Sequence, residues 1–283
     1  QDKILAEVSK KTVVVFYNMN YSLMGLYRKV VAKGGKPLLI VADHGHSSAC
    51  KDLKRKLYAM ACEREFKKFK KVIILSAQTK IKFNGSADVK VMEGGIKYSD
   101  FADYTAPIRR EKIQYTSTGS LKPLLGVDML EAIHESKRDD FTFMFSGRGE
   151  SVPDIESAAK LDSRIYCKGF LSRDGYTKMM EDTNVFVSAR NMEFEKNNNS
   201  FPSKILEYLA TGRIIVSTRF PGYQKFDNHI LFYNGSTDEL LKIMDDIASN
   251  YDVLAKKYYD SNRKFAESFD WKNQAQTLMD FVG

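Results

Sequence analysis

Short apolar runs alternate with helical patterns along this chain, and they do so twice. Thr12–Tyr17, Pro37–Ala42, Val72–Leu75 and Val89–Met92 read as strands. Helical spacing covers Ser22–Ala32 and a long stretch, Ala49–Phe69, where Leu53, Leu57, Met60, Ala61 and Phe66 recur. A polar stretch, Lys97–Glu111, interrupts the pattern. It restarts with strands at Ile113–Thr116, Thr142–Phe145, Ile165–Cys167, Asn184–Ser188, Ile214–Ser217 and Ile230–Tyr233. Helices are expected around Gly126–His134, at Arg173–Glu181, Pro202–Thr211, Asp238–Ser249 and Tyr251–Ser268, and from Trp271 onward. This alternation predicts an α/β chain with two doubly wound parallel sheets covered by helices, divided near residues 97–112. Residues 1–110 offer four strands where such a half usually has about six. The first domain is therefore expected to be incomplete, with the chain starting partway through it.

Charge follows the same division. Residues 1–112 carry 23 Lys and Arg against 11 Asp and Glu, and the remainder carries 21 against 25. Two domains with different partners are implied. No run approaches the roughly 18 apolar residues of a membrane span. The three cysteines, Cys50, Cys62 and Cys167, form no Cys-x-x-Cys pair. That argues for a reducing, cytoplasmic setting and against a disulfide framework or a zinc site.

Ligands of doubly wound sheets bind beyond the carboxyl ends of the strands. The most informative segment there runs from Asn199 to Arg213. Ser200 suits an N-cap, Pro202 a first turn and Gly212 a C-terminal exit. Free N–H groups at a helix start bind phosphate, and Lys204 adds a full charge. Glu207 lies four residues after Ser203, one turn deeper on the same face. A diphosphate at the helix tip would leave Glu207 to accept hydrogen bonds from ribose hydroxyls. An ordinary amphipathic helix with solvent-facing Lys204 and Glu207 fits the same spacing.

Three other places are candidates. Gly119-Ser120 and Gly147-Arg148-Gly149 read as turns that let backbone approach phosphate or sugar, or as plain tight turns. Lys122, two residues after Ser120, is a nearby cation. Asp43 and His44 follow a strand, where they would polarise a hydroxyl or steady developing charge, or simply form a surface turn. No Asp-x-Asp triplet, Gly-x-Gly-x-x-Gly or P-loop occurs in the chain. No metal or dinucleotide is therefore expected.

The run FPSKILEYLATGRIIVST resembles the GT-B glycosyltransferases of the family 4 type, which are retaining and use nucleotide sugars. FMFSGRGE and KGFLSRDGYTKMMEDTNVFVSAR follow the family's order, and FDWKNQAQTLMDF is similar to its closing helix. The resemblance implies an acceptor-side Rossmann-like domain over residues 1–110 and a nucleotide-sugar-binding one over 111–283. It implies a metal-free hexosyltransferase with a UDP- or GDP-sugar donor and a glycan or lipid-linked glycan acceptor, working in bacterial surface polysaccharide assembly. In that reading Glu207 binds the donor ribose. Asn199 stands where the family has a second Glu facing the donor sugar, and Ser120 and Leu125 stand where many relatives hold the diphosphate with Arg and Lys. Lys122, Arg148 and Lys204 are the available substitutes. Asp43 and His44 fall where the family commonly faces donor and acceptor sugars. A non-catalytic accessory or chaperone subunit of the same fold, and a nucleotide-sugar epimerase, are the rival readings.

The stretch Lys51–Lys71 holds Lys51, Lys54, Arg55, Lys56, Arg64, Lys67, Lys68, Lys70 and Lys71, interleaved with Phe66 and Phe69. It reads either as a basic helix resting on an anionic membrane surface at the inner face or as a solvated charged face. No nucleic-acid motif accompanies the charge.

Overall fold

The computed structural model describes residues 2–42, 52–83, 85, 87–122, 128–191, 201–219 and 224–283. These form two compact units. The first comprises residues 1–94, 199–201 and the C-terminal residues 274–283; the second comprises 95–198 and 202–273.

In the first unit, helix α1 (Asp2–Ala6) precedes β1 (Val13–Tyr17), α2 (Met24–Ala32), β2 (Lys36–Val41), α3 (Leu53–Phe66), β3 (Lys71–Ile74) and β4 (Asp88–Val91). The strands pair in parallel in the order β1-β2-β3-β4. One face of the sheet, with Phe16, Leu39, Val41, Val72 and Ile74, shares a core with Leu5, Met24, Leu26, Val30, Cys62 and Phe66 from the helices. Phe69, just past α3, is also in this core. The pattern places α3 over 49–69; among described residues it spans 53–66, capped by Asp52, which accepts a 2.9 Å bond from the Arg55 N–H.

The second unit holds β5 (Ile113–Ser120), α4 (Asp128–Glu135), β6 (Phe141–Arg148), α5 (Val152–Leu161), β7 (Ile165–Cys167), α6 (Arg173–Asp182) and β8 (Val185–Ser188). It continues with α7 (Lys204–Thr211), β9 (Ile214–Thr218), β10 (Leu231–Tyr233), α8 (Thr237–Glu267) and α9 (Trp271–Val282), whose end joins the first unit. The sheet is wholly parallel in the order β10-β9-β8-β5-β6-β7. That is the doubly wound Rossmann order, reversing direction between β5 and β8. Every strand expected from the sequence is present. The two expected C-terminal helices, Asp238–Ser249 and Tyr251–Ser268, are the two arms of α8, which is broken by a kink at Asn250, whose backbone is non-helical (φ −121°, ψ 21°). Helix α5 was not expected; Pro153 stands in its first turn.

The polar stretch after Gly94 packs on the second unit. Buried Arg213 donates to the carbonyls of Thr105 (2.7 Å), Thr211 (2.7 Å), Glu181 (2.9 Å) and Thr183 (3.2 Å). Tyr259 donates to Tyr104 O at 2.8 Å and Arg263 to Phe101 O at 2.9 Å. Trp271 lies against Gly95, where a Cβ would sit 2.6 Å from the indole. Four carbonyls lose their donor together if Arg213 is removed. Arg213→Met should destabilise the second unit by about 3 kcal/mol or more. Urea unfolding followed at Trp271, the only tryptophan, measures this.

Burial, with Glu181 adding to it, pushes the Tyr104 phenol up to about 12. Burial raises Tyr115, Tyr176, Tyr208 and Tyr251 in the same direction. A raised phenol contributes stability that is whole below its unfolded pKa of about 10 and is lost as pH rises through the folded value. The second unit should therefore hold to about pH 10 and weaken between there and about 12. Tyrosinate absorbance and circular dichroism should change together over that window.

Candidate functional site

The carboxyl ends of β5 and β6 run past the core as paired strand. Gly119 pairs with Gly147 and Ser120 with Arg148. The sequence reads these as turns; the structure makes them the last rungs of a ladder. The reason is backbone proximity. A Cβ on Gly147 (φ +152°) would meet Gly119 O at 1.7 Å, and one on Gly149 would meet Leu121 O at 1.9 Å. Only glycine lets the two strands close there. Gly119 (φ +115°) has no heavy atom within 4 Å of its Cβ position, so that side is open.

β5 is also one strand of the switch point, beside β8. The chain leaving β8 returns through α7, whose start therefore lies at the same carboxyl edge. Thr118 Oγ1 and the Tyr208 hydroxyl share a 2.8 Å hydrogen bond, fixing α7 to the end of β5. Tyr208 is fully buried and stacks on Phe186 of β8 at 4.1 Å and 4°. These contacts leave Lys204 and Glu207 on the wetter side of α7, each partly exposed.

Both are engaged. Tyr176, from α6, donates its hydroxyl proton to Glu207 Oε2 at 2.8 Å. Lys204 Nζ lies 3.2 Å from both carboxylate oxygens and 3.1 Å from the Tyr176 oxygen. The ammonium also sits 4.8 Å from the centre of the Tyr176 ring. Burial first, and then the Glu207 carboxylate, raises the Tyr176 phenol, so it stays a neutral donor. Tyr176 and Thr118 are the members of this cluster that sequence reasoning missed. Tyr176 stands 31 residues before Glu207, on a different helix, and no spacing rule links them.

Other expected residues fall nearby. Ser203, exposed, occupies the N-cap position expected for Ser200; its backbone is helical and its side chain makes no capping bond. Helix α7 begins at Lys204, two residues later than expected, and ends at Gly212 in the left-handed region (φ 72°), as expected. Arg148 stacks its guanidinium 3.8 Å from the Phe170 ring centre. Lys122 is exposed just beyond β5. Asp43, His44, Leu125, Asn199 and Ser200 lie outside the described residues. Among described residues, no group of three or more His, Cys, Asp or Glu side chains gathers as a metal site.

The site is thus a helix tip with a lysine and a buttressed carboxylate, beside glycine-lined strand ends. Residues 115–250, which contain it, match the family described as glycosyl transferases group 1. A curated protein of Bacillus subtilis (strain 168), named "Putative teichuronic acid biosynthesis glycosyltransferase TuaH", is 26% identical over 214 residues. That alignment takes in 70% of this chain and 52% of TuaH, so the chain spans about half the length of this relative. The Anabaena protein HepE, crystallised in complex with UDP, superposes with a TM-score of 0.76 at 15% identity, over 99% of this chain and 81% of its own. The pneumococcal O-GlcNAc transferase GtfA, in complex with UDP and GlcNAc, gives 0.68 at 15% identity, over 99% and 58%. The fold is GT-B.

The glycine approach has a direct test. Gly147→Ala should destabilise the second unit by about 3 kcal/mol or more, since the clash is with backbone. Gly119→Ala meets no atom and should cost about 1–2 kcal/mol, from its positive φ alone. Thermal unfolding of the two variants should separate them clearly.

Proposed function

We propose that this chain is the catalytic part of a glycosyltransferase of the family 4 type. It moves a sugar from a nucleoside diphosphate sugar, UDP-sugars being the first donors to test, to a hydroxyl of a glycan or lipid-linked glycan, with retention and without a metal ion. The observation that carries this is Glu207. It sits in the first turn of α7 at the switch point, buttressed by Tyr176 and Lys204. It also lies inside the segment similar to the group 1 glycosyl transferases. HepE and GtfA, which share the fold, were crystallised with UDP.

In this reading Glu207 accepts from the ribose hydroxyls, with Tyr176 fixing its orientation. Lys204, Ser203 and the α7 tip face the diphosphate and hold the charge that develops as the bond from the sugar's anomeric carbon to the diphosphate breaks. The glycine ends of β5 and β6 keep the adjoining surface free of side chains. Arg148 and Lys122 add positive charge at the same sheet edge. Asp43 and His44 polarise the acceptor hydroxyl, and Asn199 orients the donor sugar. The acceptor oxygen takes the diphosphate's place at the anomeric carbon, and its proton leaves with the diphosphate.

Glu207→Ala should weaken UDP binding by about 1.5–3 kcal/mol, the range of hydrogen bonds to a charged group. Tyr176→Phe should weaken it less, since it removes only an orienting bond. Titration calorimetry on the folded variants decides. Equal UDP affinity in wild type and Glu207→Ala would overturn the assignment. UDP binding without sugar release from any UDP- or GDP-sugar would favour an accessory subunit over an enzyme.

A further inference from the structure

Arg213 is buried, and its guanidinium closes the ends of two helices at once. Nη2 donates to Glu181 O in the last turn of α6 at 2.9 Å, and Nε to the carbonyl of Thr183, which caps the same helix, at 3.2 Å. Nη1 donates to the carbonyl of Thr211, the last residue of α7, at 2.7 Å, and to that of Thr105. Last-turn carbonyls lack partners within their own helix and carry the negative end of its dipole. Water or a glycine cap satisfies most helix ends. Helix α7 already has such an exit at Gly212, whose N–H bonds Leu209 O at 3.0 Å. A buried guanidinium is an expensive cap, since its N–H groups must all be matched. What it adds is a join: one planar fork bonded to both ends fixes α6 against α7.

Those two helices carry the site. Tyr176 stands on α6 five residues before Glu181, and Glu207 stands on α7 four residues before Thr211. At 1.5 Å per residue, roughly 8 and 6 Å of helix separate these side chains from the clamped ends. There Tyr176 and Glu207 meet in their 2.8 Å hydrogen bond. Tyr104 reinforces the clamp. Its ring centre lies 5.5 Å from the Arg213 guanidinium, and its hydroxyl donates to the carbonyl of Thr177, the residue after Tyr176, at 3.4 Å. A bond between side chains of two helices lasts only while its supports hold both within about 0.5 Å.

We propose that Arg213, with the Tyr104 ring against it, is a positioning residue of the nucleotide site: by holding the C-terminal ends of α6 and α7 together it keeps Tyr176 on Glu207. This rests on the reading of Glu207 as the ribose acceptor, and the experiment separates the two. Calorimetric titration with UDP, at a temperature where circular dichroism matches wild type, should show Arg213→Lys binding about three- to tenfold more weakly, the size of one lost orienting hydrogen bond. A lysine keeps the charge without the fork. In the Tyr176→Phe background the same change should add less than about twofold, because the bond it positions is already gone. Tyr104→Leu leaves the four guanidinium bonds in place and should give a smaller loss, again absent in Tyr176→Phe; it carries the test if Arg213→Lys does not fold. Ile155→Ala weakens the core of the same unit through packing alone and should leave the UDP affinity of the folded chain unchanged. Wild-type affinity in the clamp variants, an equal loss with and without the Tyr176 hydroxyl, or an equal loss in Ile155→Ala would each overturn the proposal and leave the nucleotide reading standing. Unchanged affinity in Glu207→Ala would overturn both.

Discussion

The close approach of β5 and β6 at their carboxyl ends is the constraint on which the rest of the second unit depends. The ladder from Ile113–Phe141 to Ser120–Arg148 stays in register for eight pairs. Its last rungs survive only because Gly147 and Gly149 put no Cβ against the backbone of β5 and the residue after it. Were the strands to splay earlier, Thr118 would lose its fixed place. Thr118 holds Tyr208 and so sets where α7 starts. The stacked pair of Phe186 and Tyr208 then transmits the position of β8 to the same helix. A polar site at the sheet edge is thus referenced to backbone and to buried aromatic rings, elements with little freedom to shift.

The electrostatics of the helix tip follow from this placement. A carboxylate in the first turn is favoured by the helix dipole and an ammonium there is not. Lys204 is held against that preference by Glu207 three residues on and by the Tyr176 oxygen. Both charges are partly exposed, so their mutual attraction is modest. Such a pair is a reversible counter-ion arrangement rather than a structural lock. In the proposed function, a dianion would compete with Glu207 for the lysine, and the released carboxylate oxygens would be acceptors for hydroxyl donors. Tyr176 keeps one of those oxygens in place throughout, because burial maintains its proton.

These features explain how far the sequence could be read. Most strands are legible as short apolar runs, as in β2, β3 and β9, because strands of a parallel sheet covered by helices are largely buried. The start of α7 was displaced by two residues because Pro202 and Ser203 have good first-turn chemistry, yet they precede the helix. The strand ends at Gly119 and Gly147 were read as turns because glycine signals both turns and close backbone contact, and only the paired register tells them apart. Lys204 and Glu207 were legible from helix spacing. Tyr176 was not, since its link to Glu207 is made by the packing of two helices and leaves no trace in local pattern.

Helix α3 shows the same limit from the other side. Its apolar residues fall on two faces, so their pattern as a whole names neither face as the inner one. Helical spacing puts Phe66 in one stripe with Leu53, Leu57 and Met60. Three-dimensional context divides that stripe: Phe66 and Phe69 are buried in the core beside β3, which follows five residues after α3, while the other three are exposed. The basic residues could not resolve the ambiguity, since long cationic side chains flank either face equally well. The outer line lies among exposed cations; of the acids here Asp52 caps the helix and Glu65 is buried against Lys68, while Glu63 stays half-buried on the helix. Cations outnumber acids along α3, an excess that the net charge of the whole chain does not convey.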